Sequence, residues 1–180
     1  MNQTQRYKIL MIIAPEQFRD EEYTEPREVF EKSGIEITVA ASRLGKAVGK
    51  FGLEVPVDKR LSDVHANDYD AVVFIGGTGS RIYFNDPEAH RLIREAETSQ
   101  RLLGAICAAP GTLAKAGLLK GKRATSYVEE SDILKQGGAI FTGKPVEVDG
   151  RIITGDGPRS ATAWGEKIVE MLKTKTAVKR

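Results

Sequence analysis

Short apolar runs of strand length alternate along the chain with stretches whose apolar residues recur at helical spacing. Runs apolar at every position read as strands buried on both faces. They predict strands at about Lys8–Ala14, Ile35–Ala41, Ala71–Ile75, Leu103–Ile106 and Ile152–Thr154, with a short strand at Arg123–Ser126. The intervening stretches predict helices over Glu21–Lys32, Pro87–Ser99, Pro110–Ala116, Glu129–Gln136 and Ser160–Lys173, with Gly34 and Gly117 as C-terminal stops. Alternation of this kind calls for a mostly parallel sheet covered by helices on both faces, a doubly wound α/β fold. The glycine-punctuated segment Gly45–Val57 predicts a small hairpin added at one sheet edge. No repeat, low-complexity stretch or linker interrupts the pattern. The expectation is therefore one domain over residues 1–180, with the basic tail frayed from about residue 174.

Composition narrows the class. No stretch approaches the ~18 consecutive apolar residues of a membrane span. Tyr7–Pro15 runs straight into charged residues with no cleavage site, so it reads as a first strand rather than a leader. A net charge of +2, with acids and bases interspersed, gives no footprint for nucleic acid. The single cysteine excludes an internal disulfide and is compatible with a reducing cytoplasm.

Ligands of open α/β sheets bind beyond the carboxyl ends of the strands. The loops after Ala14, Ile75 and Ile106 converge there, and the lone cysteine, Cys107, sits in the last of them. It lies between a strand and a helix opening with Pro110, on a sharp turn flanked by Ala108 and Ala109. A helix N-terminus favours thiolate over thiol, so a lowered pKa is expected. In the preceding helix, with Asp20 as N-cap, Glu22 shares helical spacing with Pro26, Val29 and Ser33, and so points inward. A carboxyl desolvated there has a raised pKa and is placed to hold or move a proton at sulfur. Gly76 and Gly77 end the strand Ala71–Ile75 and allow amides to turn toward an oxyanion, but the loop lacks the glycine and lysine patterns of nucleotide sites. Tyr127 falls on the same rim, to orient substrate or to pack. His65 and His90, on a far loop and a helix flank, are not expected to serve the cysteine.

These residues together resemble the ThiJ/PfpI superfamily, whose members include deglycases and archaeal cysteine peptidases. The resemblance rests on FRDEEY, VVFIGGTG, GAICAAPGTLAKAGLLKGKRAT and IITGDGPRSATAWGEKIVEML, and covers nearly the whole chain. It implies a flavodoxin-like three-layer sandwich with class I glutamine amidotransferase-like topology. It also implies a nucleophilic Cys107, a supporting Glu22, and oxyanion donors at the amides of Gly77 and Ala108. Ala108 stands where peptidase-like members carry histidine, Tyr127 matches the peptidase-like branch, and Asp156 replaces an anion-binding arginine. The implied function is a cofactor-free, metal-free cysteine enzyme of reactive carbonyls. Its substrate would be a small carbonyl compound or a glycated protein, and the protein would be a cytoplasmic homo-oligomer, dimer or hexamer. A redox-responsive stress protein with an oxidisable Cys107 and an intracellular cysteine peptidase are the alternatives.

Overall fold

The computed structural model describes residues 6–178, with side chains through residue 175. The chain begins with β1 (Lys8–Ile12), β2 (Glu16–Phe18), α1 (Asp20–Lys32), β3 (Glu36–Ala41), β4 (Gly45–Gly49), β5 (Glu54–Val57) and β6 (Lys59–Arg60). It continues through β7 (Ala71–Phe74), α2 (Pro87–Thr98), β8 (Leu102–Ile106), α3 (Pro110–Lys115), β9 (Arg123–Ala124) and α4 (Ser131–Gln136). The last elements are β10 (Ile140–Phe141), β11 (Val146–Asp149), β12 (Ile152–Gly155) and α5 (Ala161–Val178).

The central sheet has seven strands in the order β11-β12-β8-β7-β1-β3-β6, parallel except for β11. From β1 the chain moves to β3 on one side, returns to β7 on the other, and then proceeds outward through β8 to β12. Right-handed crossovers place helices on opposite faces when the direction of travel reverses. Accordingly α1 packs against α5 on one face, while α2 and α3 pack together on the other. The reversal falls between neighbouring β1 and β7, so a crevice opens beyond their carboxyl ends. The inner order β3-β1-β7-β8-β12 is the flavodoxin-like one.

Every residue of β7 and β8 is buried, which is why these strands read as unbroken apolar runs. Trp164 of α5 is fully buried and donates its indole N–H to the Ile153 carbonyl at 3.0 Å. Its ring lies over Gly104 in the middle of β8, where an added Cβ would stand 2.9 Å from Trp164 Cζ2 and 3.0 Å from Val73 Cγ1.

Three expectations are corrected, and the edge strand β11 of the central sheet was not expected. The Gly45–Val57 hairpin is not on an edge of the central sheet; β4 and β5 form a separate three-stranded sheet with β2, because β4 pairs in parallel with Glu16–Phe18. The Arg123–Ser126 strand shortens to β9 and pairs with β10 away from the central sheet. Edge strand β11 escapes the apolar pattern because Glu147 and Asp149 interrupt it. Helix α5 continues through Val178, past the expected end at Lys173; Lys179 and Arg180 lie outside the described residues.

The tight packing over β8 generates a prediction. Gly104→Ala is expected to destabilise the protein by about 1–3 kcal/mol through overpacking against Trp164. Chemical denaturation checks this; an unchanged midpoint would mean that the indole yields freely.

Candidate functional site

At the end of β8 the chain turns sharply through Cys107, whose φ of +62° is a left-handed conformation rarely adopted outside glycine. Two backbone hydrogen bonds impose it. The Cys107 amide donates to Gly155 O of β12 at 2.9 Å, and the Cys107 carbonyl accepts from the Tyr127 amide at 2.8 Å. Ala108 and Ala109, both buried, carry the chain straight into α3. Cys107 is only partly buried.

The first turn of α1 brings Glu22 beneath it. Glu22 is fully buried. Gly76 makes the approach possible: a Cβ there would stand 2.5 Å from Glu22 Oε2 and from Ile106 O, and 2.7 Å from Cys107 Cβ. Gly76 is thus required by space. Gly77 is required by conformation, with φ +100° in the left-handed region. Segment Glu16–Arg19 also passes directly over this loop, since a Cβ on Gly77 would lie 2.5 Å from Arg19 N and one on Gly79 would lie 1.8 Å from Glu16 O.

Burial lifts the Glu22 carboxyl to about 7, against the pull of the Cys107 thiol, the Arg19 guanidinium and the Gly76 amide. The thiol and that amide face the carboxyl without completing hydrogen bonds of normal geometry, and neither Glu22 oxygen has a formed partner among the described residues. Burial also raises the Cys107 thiol, and the adjacent Glu22 charge raises it further; the amides of Gly77 and Ala108, which point at the sulfur, pull the other way. The expectation of a thiol lowered by a helix dipole is therefore reversed. Helix α3 has only six residues, so its end carries little field, and the two amides do not offset burial beside an acid. The resting pair is a thiol beside a carboxyl that ionises near neutrality.

Outward from the sulfur lies a pocket of about 250 Å³, lined by Cys107, Gly77, Ala108 and Tyr127 together with Arg19, Lys50, Thr78, Arg81, Glu129 and Pro158. Tyr127 is 43% exposed and offers its phenol to this space, while its backbone braces the elbow. The model of the DJ-1/PfpI family matches residues 7–171. The chain belongs to the DJ-1/PfpI family.

Among relatives of this DJ-1/PfpI chain, Deglycase PfpI of Pyrococcus furiosus is 32% identical over 167 residues, spanning 92% of this chain and 99% of the relative. Putative cysteine protease YraA of Bacillus subtilis is 31% identical over the same shares. Among solved structures, a ThiJ/PfpI domain protein from Brachyspira murdochii superposes with a TM-score of 0.92 at 29% identity, covering 94% of this chain and 98% of that one.

Of the residues singled out from the sequence, Glu22, Gly76, Gly77, Cys107, Ala108 and Tyr127 come together. The histidines do not join them. His65 is exposed beside Glu95 at 3.2 Å, and His90 Nε2 lies 2.7 Å from the Phe84 carbonyl; neither lines the pocket. Asp156 instead accepts a hydrogen bond from the Ser160 hydroxyl. Asp20 is not the N-cap of α1: Arg19 takes that position, and the Asp20 carboxylate accepts the amides of Phe51 at 2.8 Å and Leu53 at 2.9 Å, tying the β4–β5 turn to the helix. The sequence reading missed Arg19, Lys50 and Arg81, because charged residues between apolar stripes carry no periodic signal of convergence. Among the described residues no group of three His, Cys, Asp or Glu side chains is arranged to hold a metal, and no helix is long and apolar enough to cross a membrane.

The buried carboxyl fixes a pH dependence. Its folded pKa of about 7 exceeds the ordinary 4.5, so the folded state holds this proton more tightly. The associated stability is complete below about 4.5 and is lost as pH rises through about 7, up to about 3 kcal/mol. Glu22→Gln is expected to match the wild type near pH 4 and to exceed it in stability at pH 8. Denaturation curves at the two pH values check this, and parallel pH profiles for the two proteins would contradict it.

Proposed function

We propose that this chain is a cofactor-free, cysteine-dependent enzyme of reactive carbonyls, of the glyoxalase or deglycase type. Its substrates are 2-oxoaldehydes or their early adducts with amines or thiols. The observation that carries the reading is the fully buried Glu22 set against the chain's one thiol where that thiol opens onto a small pocket. A carboxyl near pKa 7 is matched to general base work at neutral pH. The deglycase name of the Pyrococcus relative supports the substrate class.

In this mechanism Glu22 takes the thiol proton as Cys107 Sγ bonds to the aldehyde carbon, and returns it to the new alkoxide oxygen. The amides of Gly77 and Ala108 receive the developing negative charge. Glu22 then removes the proton on the former aldehyde carbon and delivers it to the adjacent carbon, while the hydroxyl proton passes to the neighbouring carbonyl oxygen, which leaves a thioester. Water cleaves that thioester, releasing a 2-hydroxy acid and the free thiol. The hydrogen lost by one carbon is gained by the next, so no external oxidant or reductant is needed. Tyr127 orients the substrate at the mouth.

One observation supports this reading over a peptidase. A peptidase of the cysteine-histidine kind would need an imidazole beside the thiol, and neither histidine lines the pocket.

Methylglyoxal consumption and lactate formation by the purified protein test the proposal. Cys107→Ala is expected to abolish turnover and Glu22→Gln to reduce it by about 10²–10⁴-fold. Wild-type kcat/KM should fall with decreasing pH along a limb centred near 7. Equal rates for all three proteins would overturn the reading.

A further inference from the structure

The pocket beside Cys107 is electrically lopsided. Of its charged lining residues, three are cations, Arg19, Lys50 and Arg81, and one is an acid, Glu129. Arg81 is offset by two carboxylates: its Nε donates to Glu130 Oε1 at 2.6 Å, and an Nη lies 3.2 Å from Glu129 Oε2. With two carboxylates against one guanidinium, this part of the lining carries net negative charge.

The surroundings of Arg19 and Lys50 differ. Arg19 is steered by Glu21, which accepts its Nε at 2.8 Å and one Nη at 3.4 Å, and its guanidinium stacks over the Phe51 ring at 4.8 Å. Among the described residues its other Nη has no hydrogen-bond partner. Lys50 stands beside it, with no carboxylate within ion-pair distance among the described residues and its ammonium 5.9 Å from the same ring. The backbone carrying Lys50 is fixed. Its amide donates to Phe18 O at 2.8 Å, Asp20 holds the next amides of the turn, and Gly49 fits so closely that a Cβ would stand 2.4 Å from Asp20 Oδ1. The β4–β5 arm thus holds an uncompensated cation at the rim of a pocket that contains the nucleophile.

We propose that Lys50, with the free edge of Arg19, forms a carboxylate subsite, so that the substrate is a carbonyl compound bearing a carboxylate close to the reacting carbon. The class is that of 2-oxo acids with a neighbouring aldehyde and of their adducts. This rests on the proposed carbonyl chemistry at Cys107 and names its substrate class. The volume of about 250 Å³ corresponds to ~8 water-sized units, which suits a small metabolite.

Because Cys107 is the only cysteine, intact mass reads alkylation at this site alone. The test compares rates of modification by iodoacetate and by iodoacetamide, which differ only in a carboxylate beside the reacting carbon, with glutathione as the reference thiol. The expected iodoacetate-to-iodoacetamide ratio at Cys107 is about three- to tenfold above that of glutathione. It should fall to the glutathione value in Lys50→Glu and persist in Lys50→Arg. Lys167→Glu, the same charge change on α5, should leave it unaltered. A wild-type ratio no higher than that of glutathione overturns the subsite, as does an equal fall in Lys167→Glu or a loss in Lys50→Arg. Reaction with neither reagent would instead overturn the carbonyl enzyme itself, so the two failures are distinct.

Discussion

The structure depends at its functional end on one juxtaposition, a carboxyl removed from water and set against a thiol held in a left-handed turn. Each half is costly alone. A buried acid without formed hydrogen bonds is destabilising while ionised, and a non-glycine residue at φ +62° is strained. Both persist because the surroundings over-determine them. Strand β12 and the Tyr127 amide grip the elbow, while α1, anchored against α5, drives Glu22 inward. The same desolvation raises both groups, so the carboxyl ionises near neutrality while the thiol keeps its proton. This view replaces a resting thiolate with a thiol deprotonated as it reacts.

The glycines serve the pair through space more than through flexibility. Gly76 has no positive φ, and its value is the gap through which Glu22 meets Cys107. Gly79 admits the strand β2, which pairs with β4 and positions the hairpin arm over the pocket mouth. Asp20 then clamps that arm to α1. One short helix start therefore organises three things: the buried acid, the stacked Arg19 and the arm that carries Lys50. A change that loosens the arm need not disturb the carboxyl beneath it, because the two are held by different neighbours.

Much of this was legible in the sequence. The central strands are buried on both faces, so their apolar runs announced them, and the alternation with helices gave the doubly wound order and hence the place of the crevice. Glu22 could be found because helical spacing put an acid on an apolar stripe, although the stripe is rotated: Tyr23 and Phe30 are buried with it rather than Val29 and Ser33. The separate sheet of β2, β4 and β5 was hidden, since short strands pair by backbone hydrogen bonds that leave no mark in side-chain pattern. Asp20 misled for a related reason. An acid at a helix start is the ordinary signature of a cap, and only the three-dimensional approach of the Phe51 turn reveals another use for it. The direction of the thiol shift was hidden too, because it follows from how deeply two residues far apart in sequence are buried together.

The pH dependence of Cys107 alkylation by a neutral reagent, measured in the wild type and in Glu22→Gln, tests the central claim most directly. The account predicts that wild-type reactivity follows the deprotonation of a group near 7 and that this inflection disappears, with a marked loss of neutral-pH reactivity, when the carboxyl is replaced by an amide. If both proteins instead rise together along the titration of an ordinary isolated thiol, the acid and the sulfur are not coupled and the proposed chemistry fails.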